Sequence, residues 1–155
     1  MKILDDQKIS ELTLAAEQSP RKRVHFCFHP ENDSAIHKLY IASQPGSYIR
    51  PHRHVGDGRG EMLTIIKGEG ILFIFDDDGE ILSRTVLSTN GSVYSVEFEE
   101  NVWHAFVVTA NDTIFQEVKA GPYMQPAPSD FASWAPAEGD PGVEQFIEEL
   151  KAMEI

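Results

Sequence analysis

His52 and His54 stand two apart in the stretch Gly46-Ser47-Tyr48-Ile49-Arg50-Pro51-His52-Arg53-His54, and Glu61 follows beyond the loop Val55-Gly56-Asp57-Gly58-Arg59-Gly60. Side chains alternate along an extended segment, so both imidazoles are expected on one face of a strand. The glycine-rich loop allows the chain to turn back and bring the Glu61 carboxylate to the same spot. His104, in a later apolar run, is the fourth arm. Imidazoles and a carboxylate together suit one divalent first-row ion; iron, manganese, nickel, cobalt and zinc all accept such a donor set. A lone histidine is more often a satisfied or surface residue. Here a His-x-His pair, an acid past a glycine loop and a later histidine coincide, which favours the metal.

Such a site needs a scaffold that closes on itself, and the hydrophobic periodicity supplies one. Asp6 to Gln18 reads as a helix, with Ile9, Leu12 and Ala16 on one face and a stop at Ser19-Pro20. The period then changes to two. Strands are expected over Val24–His29, ending at Pro30, and over Ile36–Ala42, Tyr48–His54, Glu61–Ile66, Ile71–Phe75, Glu80–Leu87, Val93–Phe98, Trp103–Thr109 and Thr113–Val118. Ile71–Phe75 is apolar on both faces, so cover is expected on both sides. Asp76-Asp77-Asp78-Gly79 is the clearest hairpin turn. Short strands at this spacing indicate an all-β sandwich or small barrel. Beyond Gly121-Pro122 the chain is rich in Pro, Ala and Ser as far as Gly139, an irregular tail expected to wrap the barrel. Asp140-Pro141 is expected to start a short C-terminal helix whose stripe Val143, Phe146, Ile147 and Leu150 docks on the barrel or on a second subunit.

Length and composition fit one domain: a helical arm over residues 1–20, a barrel over 21–120 and an extension over 121–155. The formal net charge of -12 argues against nucleic acid or an anionic membrane as the partner. Cys27 is the single cysteine, so no intrachain disulfide is available, and a reducing, cytoplasmic setting is expected. No apolar run approaches the roughly 20 residues of a membrane span.

The spacing from Gly46 through His52, His54 and Glu61 to Gly68 resembles the first signature motif of the cupins, in which His, His and Glu bind metal. The loop before Glu61 is longer than the usual pattern. Glu99 and Asn101 stand where the second cupin motif carries proline and glycine before its histidine, here His104. Asn tolerates the left-handed conformation better than most residues. Five blocks narrow the likeness: Pro51–His54, Phe75–Gly79, Val102–His104, Glu117–Tyr123 and Asp130–Gly139. Together they resemble the WbuC-type cupin metalloproteins over residues 21–139. That resemblance implies a cupin (double-stranded β-helix, jelly-roll) barrel with a short helix at each end, one bound divalent ion and a homodimer. Members of that family lie among bacterial surface-polysaccharide genes, but the family has no assigned reaction.

Several other residues offer pocket chemistry. His25, Cys27 and His29 share one face of the first strand. Cys27 is expected to pack as a small hydrophobe, and the histidines either line the pocket or sit on an edge. Arg21, Arg23, Arg50, Arg53 and Arg59 bring guanidinium groups near the site for an anionic substrate, of which Arg23, Arg53 and Arg59, with His25, His29 and Tyr123, are the expected substrate contacts. For any single arginine, pairing with one of the acidic residues is the blander outcome. Glu117 and Lys119 share a strand face with Phe115. They point inward as general acid and base, pair with each other, or face solvent. Tyr48 is a further candidate phenol donor for catalysis. The sequence holds no phosphate-binding glycine loop with a lysine, no serine elbow and no Cys-x-x-Cys pair. Two functions stay open: a metal-dependent enzyme, of isomerase, epimerase or oxygenase type, acting on a sugar or sugar-derived acid, and a non-catalytic module that binds a sugar or the metal.

Overall fold

The computed structural model describes residues 1–153. Helix α1 (Asp6–Gln18) is followed by β1 (Arg23–Cys27), β2 (Ile36–Ser43), β3 (Glu61–Lys67), β4 (Glu69–Phe75), β5 (Ile81–Ser88), β6 (Ser95–Phe98), β7 (Trp103–Val108), β8 (Thr113–Ala120) and helix α2 (Val143–Ala152). The strands form two antiparallel sheets, β1-β2-β8-β3-β6 and β5-β4-β7. No helix among the described residues is long and apolar enough to cross a membrane.

Period-two alternation divides each strand between two environments. In the five-stranded sheet one face carries Val24, Tyr40, Ala42 and Ile114, on which α1 lays Ile9, Leu12 and Ala16. The α1 start is capped by the Asp5 side chain, which accepts from Lys8 N at 2.9 Å. The opposite face, with Ile41, Leu63, Ile65 and Phe115, turns inward against Leu72, Leu87 and Val108 of the smaller sheet. β4 is covered on both sides, as its composition predicts. Leu72 faces the barrel interior, whereas Ile71, Phe73 and Phe75 face the C-terminal tail and α2. Ile147 and Leu150 of α2 are buried in that outer cluster, each contributing about 1.5–3 kcal/mol from apolar burial. The barrel itself is therefore the docking partner of this helix.

Two expectations need correction. The stretch Tyr48–His54 forms no regular strand; only His52 bridges, to His104 on one side and Phe131 on the other. Pro51 lacks an N–H, and the neighbouring backbone groups are shared between β7 and the tail. His52 N donates to His104 O at 3.0 Å, Arg53 N to Asp130 O at 3.0 Å, and Ala132 N to Pro51 O at 2.8 Å. Helix α2 starts after Gly142, not at Asp140-Pro141. The Asp140 carboxylate is already used in the preceding turn, where it accepts from Ala137 N at 2.9 Å.

The turn between β3 and β4 depends on Gly68. Its φ is +82°, and a Cβ there would lie 2.4 Å from Thr113 Oγ1 and 2.9 Å from Thr113 Cα. Thr113 is fully buried and donates to Ala110 O at 2.7 Å, so it has nowhere to retreat. Gly68→Ala is expected to cost roughly 2–3 kcal/mol from left-handed strain plus overpacking. Urea unfolding measures this, and a loss below about 0.5 kcal/mol would contradict the packing described.

Candidate metal centre

One short backbone segment and one strand bring three imidazoles together. The ligating nitrogens of His52, His54 and His104 lie within 4.8 Å of one another. The bridge that pairs His52 with His104 holds their rings 4.4 Å apart between centroids. His54 follows with its ring 5.1 Å from that of His52. Thus the alternation expected of a strand survives without a strand.

The tautomers are set by the backbone. His52 Nδ1 lies 3.0 Å from Arg50 O and His104 Nδ1 lies 2.9 Å from Val102 O. A carbonyl can only accept, so each Nδ1 carries the proton and each Nε2 keeps a lone pair. His104 Nε2 is buried without a hydrogen-bond partner. Leaving such a group unmatched is costly, and a metal ion satisfies it. Both rings are also held neutral. Burial pushes His104 down to about 4, and burial together with His104 and His54 pulls His52 well below its ordinary value. Neutral imidazole is the form that ligates.

Glu61 opens β3 and is buried beside the triad, its Oε2 2.7 Å from His54 Nε2. Cross-strand register then extends the site. Glu61 pairs with Lys119, and Lys119 with His37; one row over, Leu63 pairs with Glu117, and Glu117 with Leu39. Lys119 Nζ lies 3.7 Å from Glu61 and forms an ion pair with Glu117. Burial raises the Glu61 carboxyl, but the His54 hydrogen bond and the Lys119 ammonium outweigh it and hold it below the usual range. Burial and Glu61 together push Glu117 up. Burial pulls Lys119 down, and the two carboxylates more than reverse this. The three groups form one internal charge network with a single cation between two acids.

A cavity of about 620 Å³ opens above this network. His52, His54, Glu117 and Lys119 line it, as do His25, Cys27, His29 and Arg23 from the first strand and its turn. Cys27 is thus half-buried on the cavity wall rather than packed in the core. Tyr123 is exposed at the rim. Arg59 sits beside a smaller cavity of about 60 Å³ that shares His54, Lys119 and Tyr123 with the larger one, and its Nη2 contacts Met124 Sδ at 2.8 Å.

Two expected site residues lie elsewhere. Tyr48 is a core residue packed edge-on against Phe146; its hydroxyl donates to Pro136 O at 2.8 Å and does not reach the cavity. Arg53 lies between His52 and His54 in sequence and therefore points the opposite way. Its guanidinium covers the Trp103 ring at 4.4 Å and pairs with Asp77 at 3.8 Å. Two ionisable residues of the cavity were not anticipated. His37 is buried and stacks on His29 with centroids 4.0 Å apart. Its position in β2 matches the parity of Leu39 and Ile41, a signal present in the sequence. Glu138 reaches the cavity from the irregular tail, where no periodicity marks it.

The two-sheet jelly roll is a cupin fold whose interior places three histidines where they could hold a metal ion, and solved structures agree on the fold. KdgF from Halomonas sp. is similar with a TM-score of 0.52 and 12% identity, over 68% of this chain and 84% of that one. A conserved protein of unknown function from Streptococcus pyogenes is similar with a TM-score of 0.51 and 13% identity, over 79% and 90%. A cupin superfamily protein from Desulfitobacterium hafniense has a TM-score of 0.50 at 8% identity, over 63% and 76%. The model of the family described as Domain of unknown function (DUF6016) matches residues 4–87, more than half of the chain, and the protein belongs to that family. No curated protein matches the sequence.

Proposed function

We propose that this chain is a metal-dependent cupin enzyme acting on a small, sugar-derived acid, of the WbuC type and serving bacterial surface-polysaccharide synthesis. His52, His54, His104 and Glu61 hold one divalent ion. The reading is carried by one observation: the half-buried Glu117–Lys119 pair lines the same cavity as His52 and His54 and is linked to the triad through Glu61. A module that only binds metal has no use for a carboxylate and an ammonium kept at the substrate side of the ligands.

When bound, the ion supplies Lewis acidity that polarises a substrate carbonyl, or, if it is iron, a site for oxygen chemistry. The chain's own residues do the rest. Glu117 takes the proton from the carbon beside the carbonyl, the adjacent Lys119 ammonium gives one to the former carbonyl carbon from the same side, and the proton on Glu117 then passes to Lys119. Net isomerisation results; epimerisation would take its second proton from the other side of the cavity. Leu39 and Ile41 add an apolar stretch to the cavity wall. The single free cysteine fits a reducing cytoplasm, and dimerisation through an exposed sheet edge completes the picture.

Elemental analysis of protein purified without added metal, followed by NMR in deuterated water with a panel of uronates, aldonates and sugar nucleotides, tests this. Metal-dependent entry of deuterium beside a substrate carbonyl is expected. Tight binding with neither exchange nor product across the panel would make the protein a binding module instead.

A further inference from the structure

Arg21 and Arg23 line the same cavity and converge on one carboxylate, that of Glu138. Arg21 Nε and Nη2 donate to Glu138 Oε1 and Oε2, each at 2.7 Å, and Arg23 Nη2 donates to Oε2 at 3.0 Å. The partners differ in exposure. The Arg23 side chain is 4% exposed and Glu138 is 37% exposed. Arg23 Nη1 donates to Tyr48 O at 2.9 Å, while its Nε is buried with no partner. Glu138 supplies the anion that a buried guanidinium needs, but the idle Nε leaves Arg23 incompletely satisfied by it. Two guanidinium groups around one carboxylate leave an excess positive charge at this point of the wall. His25 reports that field: burial first, then Arg23, Arg21 and Lys119, hold its imidazole below the ordinary value. The positive wall therefore runs from the arginine pair towards the ion-pair network beside the triad.

We propose that Arg21 and Arg23 form the cavity's subsite for the carboxylate end of an acidic ligand, and that Glu138 is a tethered stand-in which the ligand displaces. Glu138 is suited to leave. The backbone around it is pinned, with Ala137 N donating to Asp140 Oδ2 at 2.9 Å and Asp140 N to Ala137 O at 3.0 Å. The neighbouring Gly139 has open space around it. Rotation of one side chain carries the carboxylate to solvent without moving the tail. Arg21 already holds a planar carboxylate in bidentate fashion, that of Glu138, and a ligand carboxylate can take its place with the same geometry. A cavity of about 620 Å³ is of the size that holds a sugar acid reaching from the arginines towards the triad. This inference rests on the proposed function only in taking the cavity as a ligand site.

The test is calorimetric titration of D-glucuronate, with inorganic phosphate and D-glucose as comparisons, into wild type, Glu138→Gln and Glu144→Gln. An internal competitor that fills the site about nine-tenths of the time weakens an external ligand about tenfold. Glu138→Gln is thus expected to bind glucuronate about tenfold more tightly than wild type, with a smaller gain for phosphate and none for glucose. Glu144→Gln removes the same charge from an exposed position of α2 and is expected to change nothing. Adding Arg21→Gln to Glu138→Gln is expected to remove the gain. Equal glucuronate affinity in wild type and Glu138→Gln, with the variant folded by circular dichroism, would reduce the trio to a structural tie and overturn the proposal. A gain equal for glucuronate and phosphate would overturn the carboxylate preference. Repeating the titration on EDTA-treated protein separates this inference from the metal reading, because neither arginine hydrogen-bonds a member of the triad.

Discussion

His52→Ala protein is expected to leave purification without the metal that wild type carries, and to bind added zinc at least about a hundredfold more weakly. Losing only an outer partner of a ligand costs roughly 10–100-fold in metal affinity, so losing a donor nitrogen costs more. The fold is expected to survive. His52 contributes two backbone hydrogen bonds to His104, at 3.0 and 2.9 Å, which alanine keeps, and its ring makes one local bond to Arg50 O. The metal-free variant should therefore unfold close to metal-free wild type. His29→Ala is the matched control. His29 is also buried and lines the cavity, but its Nδ1 is engaged by the Lys38 backbone and it lies outside the triad. Elemental analysis should separate the two variants cleanly. Full metal content in His52→Ala would place the ion elsewhere.

That contrast between His52 and His29 also marks how far the sequence could be read. The grouping of His52 with His54 was legible because its signal is local, a His-x-His spacing whose rings fall together even without a ladder, whereas His104 joins them only through its bridge to His52. Pro51 and the tail broke the expected strand, yet alternation still set ring direction. Strand positions elsewhere were legible for the same reason, since period two survives any topology. What the sequence withheld is register. Nothing in the run Thr113–Val118 says that Lys119 lies opposite Glu61 and His37, a juxtaposition made by pairing β8 between β2 and β3. Arg53 was misassigned because charge was counted without parity. Its even-numbered neighbours take the inner side, and Trp103 offers the outer side a ring to cover. Tyr48 was misassigned because its hydroxyl partner, Pro136, belongs to the aperiodic tail. Asn101 shows the opposite case: it stands in place of a glycine and adopts a φ of 63°, as its side chain permits.

Lys119→Met is expected to destabilise the protein by about 3–5 kcal/mol, because breaking a buried ion pair from one side strands the remaining charge. Here it leaves the half-buried Glu117 without its partner and removes the cation 3.7 Å from the buried Glu61, which keeps its contact with His54. For a domain of this size the loss corresponds to roughly 10 °C in unfolding midpoint. Glu117→Leu added to Lys119→Met is expected to recover a large part of it. Register places Glu117 between Leu63 and Leu39, so a leucine there continues an apolar row, and the metal-ligand candidate Glu61 remains. Unfolding of the single and double variants in denaturant gives the coupling directly. A single variant within about 0.5 kcal/mol of wild type would mean that the pair is solvated and that no internal network exists. The double variant then serves a second purpose. Apolar residues would hold this wall more simply than an acid and a base, so the presence of the pair suits a use in proton transfer. A double variant that folds and keeps its metal but loses deuterium exchange with substrate is the result that this use predicts. Unchanged exchange would assign the pair to stability alone and move the proton-handling role elsewhere in the cavity.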